Sequence, residues 1–168
     1  MSLNVRDAQP GDAGAVSAIH DEAVLTGNAT FRTEPRPLAD VVALIADVRP
    51  FLVAERDDQV VGWAGAAPYE EANPYYAGVG EVAVYVGSAA RGEGAGAALL
   101  EALAKASTET GMFKLVAKVF TTNTQSLRLF ERCGYTPVGT HVRHGRVRGE
   151  WKDVVVLEKL LGDATEAN

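Results

Sequence analysis

Hydrophobic positions along the chain follow two rhythms, and the clearest change between them comes near the middle. Val82, Val84 and Val86 alternate with Glu81, Ala83 and Tyr85. That period of two predicts a strand with three valines on one face and a carboxylate and a phenol on the other. The strand breaks at Gly87, the glycine-rich run Arg91-Gly92-Glu93-Gly94-Ala95-Gly96 follows, and an Ala- and Leu-rich segment to about Ala106 predicts a helix. Upstream, residues 3–8 predict a short strand ended by Pro10-Gly11, and Asp12 is a fair N-cap for a helix reaching about Leu25. His20 and Glu22 on that helix are read as facing solvent, with a pocket as the alternative. Residues 26–37 carry turn residues and prolines. Pro37 stands at the start of a second helix, to about Val48. Residues 51–55 and 59–67 flank Asp57-Asp58 as a hairpin, and the aromatic stretch 68–80 is too irregular for an element of its own. Downstream come a strand over 113–120, a short helix over 126–132 closed by Gly134, and strands over 135–142 and 151–157 joined by the basic segment HGRVRGEWKD.

The predicted order is therefore β, α, α, β, β, β, α, β, α, β, β: a mixed α/β sheet of about seven strands and four helices with a central βαβ crossover. Residues 1–162 are expected to form one domain, with 163–168 a frayed polar tail. The glycine turn is the chemical centre of this arrangement. Its three glycines open conformations closed to other residues, and the free N–H groups converge with the positive end of the helix dipole. That is an anion site, most plausibly for phosphate. Gly92-x-Gly94-x-x-Ala97 also matches the dinucleotide fingerprint, but antiparallel strands precede it and the next strand ends in Phe120-Thr121 without an acid, which argues against that reading.

Composition narrows the partners. The net charge of −6, with no Lys/Arg-rich stripe, excludes nucleic-acid binding as a main role. Cys133 is the only cysteine, so no intramolecular disulfide or cysteine-based zinc site arises, and His20, His141 and His144 lack metal-ligand spacing; no metal is expected. The first twelve residues lack the apolar stretch of a signal peptide, and no run is long enough to span a membrane. The expected location is the cytoplasm.

Arg91-x-x-Gly94-x-Gly96 resembles the pyrophosphate loop of the GNAT superfamily of acetyl-coenzyme A dependent N-acetyltransferases, and Asn123-x-x-Ser126 with Cys133-Gly134-Tyr135 is similar to the family's next block. Three longer blocks look like those of the phosphinothricin, methionine sulfoximine and arsinothricin N-acetyltransferases: Thr30-Phe31-x-Thr33-Glu34-Pro35, Tyr76-Ala77-Gly78-Val79-Gly80-Glu81, and Gly145 through Trp151-x-Asp153-Val154. The resemblance implies that Val84 and Val86 offer backbone groups to the pantetheine arm of acetyl-CoA. Arg91, Gly92, Glu93, Gly94, Ala95, Gly96 and Ala97 would cradle its pyrophosphate, and Asn123 and Ser126 would contact it from the other side. For Asn123 the residues alone also allow a helix N-cap. Phe31, Glu34 and Tyr76 are the expected acceptor contacts. Phe31 is equally readable as an anchor for its loop. The resemblance also implies a homodimer.

The implied reaction is acetyl transfer from acetyl-CoA to the primary amine of a small amino-acid-like compound. The alternative is a non-catalytic acetyl-CoA sensor or interaction domain. An alkylammonium with a pKa near about 10 must lose a proton first. Glu81 matches the family's general base, and a carboxylate suits that task only with help from burial or a water relay. An N–H near Val84 or Val86 would stabilise the carbonyl oxygen. Two departures stand out. Phe130 occupies a position where relatives have tyrosine or histidine, so either the thiolate leaves unassisted, as a thiol pKa of about 8.5 permits, or Tyr85 or water supplies its proton. The relatives' arginine before the Glu81 strand is missing, with Arg32, Arg143, Arg146 and Arg148 as candidate replacements.

Overall fold

Among the described residues, 2–166 of the computed structural model, seven strands form one mixed sheet with four α-helices packed on its faces. The order is β1 (Leu3–Asp7), α1 (Ala13–Thr26), α2 (Leu38–Asp47), β2 (Phe51–Arg56), β3 (Gln59–Pro68), β4 (Val79–Val86), α3 (Ala95–Glu109), β5 (Lys114–Phe120), α4 (Thr124–Arg132), β6 (Thr136–Val147) and β7 (Glu150–Leu160). Side by side the strands run β1-β2-β3-β4-β5-β7-β6. Every neighbouring pair is antiparallel except β4 and β5, which α3 connects as the crossover.

The alternation in β4 sorts its side chains as the sequence predicts. Val82, Val84 and Val86 pack with α3, whose Leu99, Leu100 and Leu103 are wholly buried beside Leu115 and Ala117 of β5. Full burial of each such leucine is worth about 1.5–3 kcal/mol, so α3 is the principal clamp on this face. Ala83 and Tyr85 point the other way, towards a cluster of Trp63, Phe51 and the inner faces of α1 and α2. Phe51 and Trp63 stack there at 5.0 Å.

Four local expectations change. Asp12 precedes α1 without capping it; its carboxylate accepts the Gln9 N–H at 2.8 Å and binds Arg6. The segment 144–153 is mostly strand: β6 continues to Val147, and Arg148-Gly149 make the turn with φ of 47° and 84°. Stretch 68–80 contains a 3-10 turn, Pro74–Tyr76, capped by the Asn73 side chain, which accepts the Tyr75 N–H at 3.1 Å. Another 3-10 turn, Gly162–Thr165, starts the tail, whose last two residues lie outside the described ones.

Arg6 joins three segments. Its guanidinium donates to both Asp12 oxygens at 2.8 and 3.0 Å and to Glu55 Oε2 at 2.7 and 3.0 Å, tying β1 to β2 and to the turn before α1. The bond from Arg6 holds the Asp12 carboxyl below its ordinary value of about 3.8, with the Gln9 N–H adding to it against burial. A depressed carboxyl contributes stability that is present above the unfolded value and lost as pH falls through the folded one. Arg6→Met is expected to cost about 1 kcal/mol near neutrality. Denaturant titrations from neutrality into acid should show the gap to the parent protein closing as Asp12 protonates.

Candidate active site

The parallel pairing of β4 with β5 covers only Val79↔Lys114, Gly80↔Leu115 and Glu81↔Val116. Beyond that point β4 stays on β3 as far as Val86↔Gly62, and β5 stays on β7 as far as Phe120↔Val154. The two antiparallel halves thus diverge and leave a wedge between strand edges. Gly87 N–H donates to Val61 on one side of β4, and Gly78 C=O accepts from Phe113 on the other. Backbone direction alternates along a strand, so Val84 and Val86 turn their N–H and C=O groups into the wedge. The Val86 carbonyl accepts from Arg91 Nε at 3.1 Å. The remaining edge is a row of groups that need partners.

A cavity of about 640 Å³ follows this edge to the start of α3. Val84, Val86, Arg91, Gly92, Gly94, Ala95, Gly96 and Ala97 line it, and Asn123 and Ser126 face them from α4. Gly94 sits at φ 88° as the N-cap of α3, a conformation that L side chains rarely adopt, and the space where its Cβ would stand is open. Gly96 serves a different purpose. It is helical, and a Cβ there would meet Leu129 Cδ2 at 2.8 Å, so it admits α4 close to α3. Ser88 N–H donates to Glu22 Oε2 at 2.8 Å, which fixes the loop to α1. Asn123 caps α4, accepting the Ser126 N–H at 3.2 Å while lining the cavity.

A second cavity of about 450 Å³ adjoins the first; Ala29, Val84, Tyr85, Asn123 and Ser126 belong to both. Its walls include Glu81, Lys118, Phe31, Arg32 and Phe130. Glu81 accepts a hydrogen bond from Lys118 Nζ at 3.1 Å, and both side chains are 38% exposed. A half-exposed pair of this kind is worth about 0–1 kcal/mol, so it can open at little cost. The Tyr85 ring meets His20 edge-on at 5.1 Å and Trp63 at 4.9 Å. Burial pushes the Tyr85 hydroxyl pKa up against the opposing effects of Thr30 and Arg36, so the phenol keeps its proton across the neutral range. Phe130 is buried edge-on against Tyr135.

Some predicted residues lie elsewhere. The Glu93 side chain pairs with Arg56 and lies outside the cavity lining. Glu34 and Tyr76 line neither cavity; Tyr76 packs on Tyr69 at 6.2 Å. Phe31 does both tasks read for it, lining the second cavity while its ring packs edge-on against Phe120 at 4.8 Å and fills the space over Gly145. Of the four candidate arginines only Arg32 reaches the cavity. Arg146 lies over the Trp151 ring at 4.0 Å, Arg148 donates to Val24 C=O at 3.2 Å, and Arg143 sits outside the lining. His20, read as solvent-facing, is buried beside Tyr85; burial first, then the charges of Arg36 and Arg32, lowers its pKa and keeps it neutral. Sequence reasoning passed over Lys118, although a lone charge inside the apolar run from Leu115 to Phe120 is a visible signal.

An open glycine cradle at a helix N-terminus and an unpaired strand edge suit a ligand with a phosphate at one end and amides along its length. The profile of the acetyltransferase (GNAT) family matches residues 17–135. The chain is 36% identical to a phosphinothricin N-acetyltransferase of Alcaligenes faecalis, over 98% of this chain and 86% of that protein. It is 35% identical to a phosphinothricin N-acetyltransferase of Streptomyces viridochromogenes, over 90% and 84%. A GNAT superfamily phosphinothricin acetyltransferase of Sinorhizobium meliloti, solved in complex with acetyl-CoA, superposes with a TM-score of 0.92 at 27% identity, covering 100% of this chain and 93% of that one. The chain belongs to the GNAT acetyltransferase family, and it is an acetyl-CoA dependent N-acetyltransferase.

Gly94→Val would force a branched side chain into left-handed backbone, at about 1–3 kcal/mol of strain, at the mouth of the cradle. The fold should survive by circular dichroism, while calorimetry should show coenzyme A affinity lowered roughly tenfold or more.

Proposed function

We propose that the enzyme acetylates the primary amine of a small amino-acid-like acceptor of the phosphinothricin, methionine sulfoximine or arsinothricin type, held in the cavity beside Glu81. The observation that carries this reading is the placement of a carboxylate at the last residue of β4 paired with β5, where the wedge begins, on the wall of the second cavity. Bound acetyl-CoA supplies the acetyl group as an activated thioester. Val84 and Val86 offer backbone partners along its arm, and Arg91, the glycines and the α3 N-terminus receive its phosphates.

The acceptor nitrogen loses two protons in forming the amide. Glu81 takes the first from the ammonium, directly or through water, once its contact with Lys118 opens. The second leaves with the departing thiol. Tyr85 holds a proton at the shared wall of the cavities, and a thiol pKa of about 8.5 also allows departure without it. The N–H of Val84 is the donor for the oxygen that gains charge. Phe130 offers no proton and closes the far side against water. The likeness to phosphinothricin N-acetyltransferases supports a role in inactivating such compounds, and the same reading has the enzyme act as a homodimer in the cytoplasm.

Thiol release measured against phosphinothricin, methionine sulfoximine, arsinothricin and ordinary amines tests the reading. No release from any amine, with coenzyme still bound, would leave the sensor alternative in its place. Glu81→Gln should lower kcat by roughly 10²–10⁴ with coenzyme affinity unchanged. Unchanged turnover would remove Glu81 from the proton transfer.

A further inference from the structure

The cation nearest the proposed base comes from β5, and it sits on the wall where the acceptor must lie. Glu81 pairs in register with Val116, and side chains alternate along a strand, so Lys118 emerges on the same face one pleat further into the wedge. Its Nζ is 3.1 Å from Glu81 Oε2 and 5.3 Å from the centroid of the Tyr69 ring. The ring favours the charged ammonium and limits its sweep. Arg32 lines the same cavity with a buried Nε that has no partner, so positive charge surrounds the wall on which Glu81 is the acid.

We propose that Glu81 and Lys118 together form a receptor for the zwitterion of a free α-amino acid, Lys118 taking the α-carboxylate and Glu81 the α-ammonium. The proposal rests on the acetyltransferase reading above and narrows its acceptor. The argument is one of matched spacing. An α-amino acid carries its two charges on adjacent substituents of a single carbon, and the protein's two opposite charges stand at hydrogen-bond distance from each other. The acceptor therefore enters by exchanging one internal pair for two external ones, and no charge is left without a partner. A pair this exposed holds itself together only weakly, so the exchange meets little resistance.

The chemistry then favours release. Acetylation converts the ammonium to an uncharged amide, which gives Glu81 nothing to pair with. When Glu81 has passed its proton to solvent, its carboxylate and the product's carboxylate compete for Lys118, and re-formation of the internal pair displaces the product. The same pairing sets specificity. A decarboxylated amine leaves Lys118 unmatched, and the N-terminal residue of a peptide, whose α-carboxyl is an amide, fails in the same way. Lys118 is thus a specificity residue, and it replaces in function the arginine that this chain lacks before β4.

The test is calorimetric titration of the coenzyme A saturated protein with phosphinothricin, methionine and glutamate, each beside its α-amide. The parent protein should bind the free acid of at least one of them roughly tenfold or more tighter than the amide, a difference of about 1.4 kcal/mol. Lys118→Met should abolish that ratio by weakening the free acid, and Lys118→Arg should retain most of it. A ratio that persists in Lys118→Met, or a parent protein that binds no free acid in preference to its amide, overturns the proposal. Turnover separates the two readings. Acetylation of decarboxylated amines as fast as of the acids would leave the acetyltransferase standing and refute the role of Lys118. An acid preference that vanishes in Lys118→Met, without product from any amine, would refute the acceptor reading and keep the carboxylate site.

Discussion

The parallel contact between β4 and β5 ends at Glu81 and Val116, while each strand continues along its own antiparallel neighbour. From that point the two antiparallel halves splay apart, and the inner edge of β4 is left without a strand partner. An unpaired edge inside a sheet is costly unless something completes it. Under the function proposed above the completion is a ligand: the exposed row at Val84 and Val86 presents the hydrogen-bonding pattern of a missing strand, and the amide-bearing arm of the co-substrate would supply the partner groups. The glycine cradle, the α4 cap at Asn123 and the second cavity are all placed relative to that seam.

Packing on both faces keeps the seam open. Leu99, Leu100 and Leu103 hold α3 against one face, and Phe51, Trp63 and Tyr85 fill the other, so β4 is fixed from both sides while its edge stays free. Gly96 matters for the same reason, because Leu129 and the helix that carries it approach at that point. The site's polar groups are less firmly held. Glu81 and Lys118 are half exposed and bound chiefly to each other, which suits the exchange of partners that the proposed roles require.

Much of this was legible in the sequence because it depends on local rules. The period of two in β4, the glycines before an Ala/Leu helix and the asparagine ahead of α4 each specify backbone without reference to distant residues. The order of all eleven regular elements follows from such signals. What escaped depends on which segments meet. Lys118 became part of the site through the register of β5 on β4, and His20 became buried because α1 is covered on the side that its neighbours leave ambiguous. Glu93 was assigned to the cradle with the rest of its loop; Arg56, from a strand far upstream, takes it out. Glu34 and Tyr76 stood in resembling blocks, yet block membership places a residue near a site without aiming its side chain into it.

The loop between α1 and α2 carries Phe31 and Arg32 into the second cavity, and it is fastened across the seam by Asn28 and Thr122, whose side chains bond each other while the Asn28 amide also donates to the Thr122 carbonyl at 3.3 Å. These contacts lie at the surface and contribute modestly to stability. The groove that receives the co-substrate is secured by the buried core. Energetic separation of this kind leaves the loop free to change while the groove stays fixed: if the second cavity takes the acceptor, substitutions in the loop can retune which amine enters without unsettling the fold. Acceptor range in such a molecule is open to selection at low thermodynamic risk, and a single scaffold can spread to new amines one loop at a time.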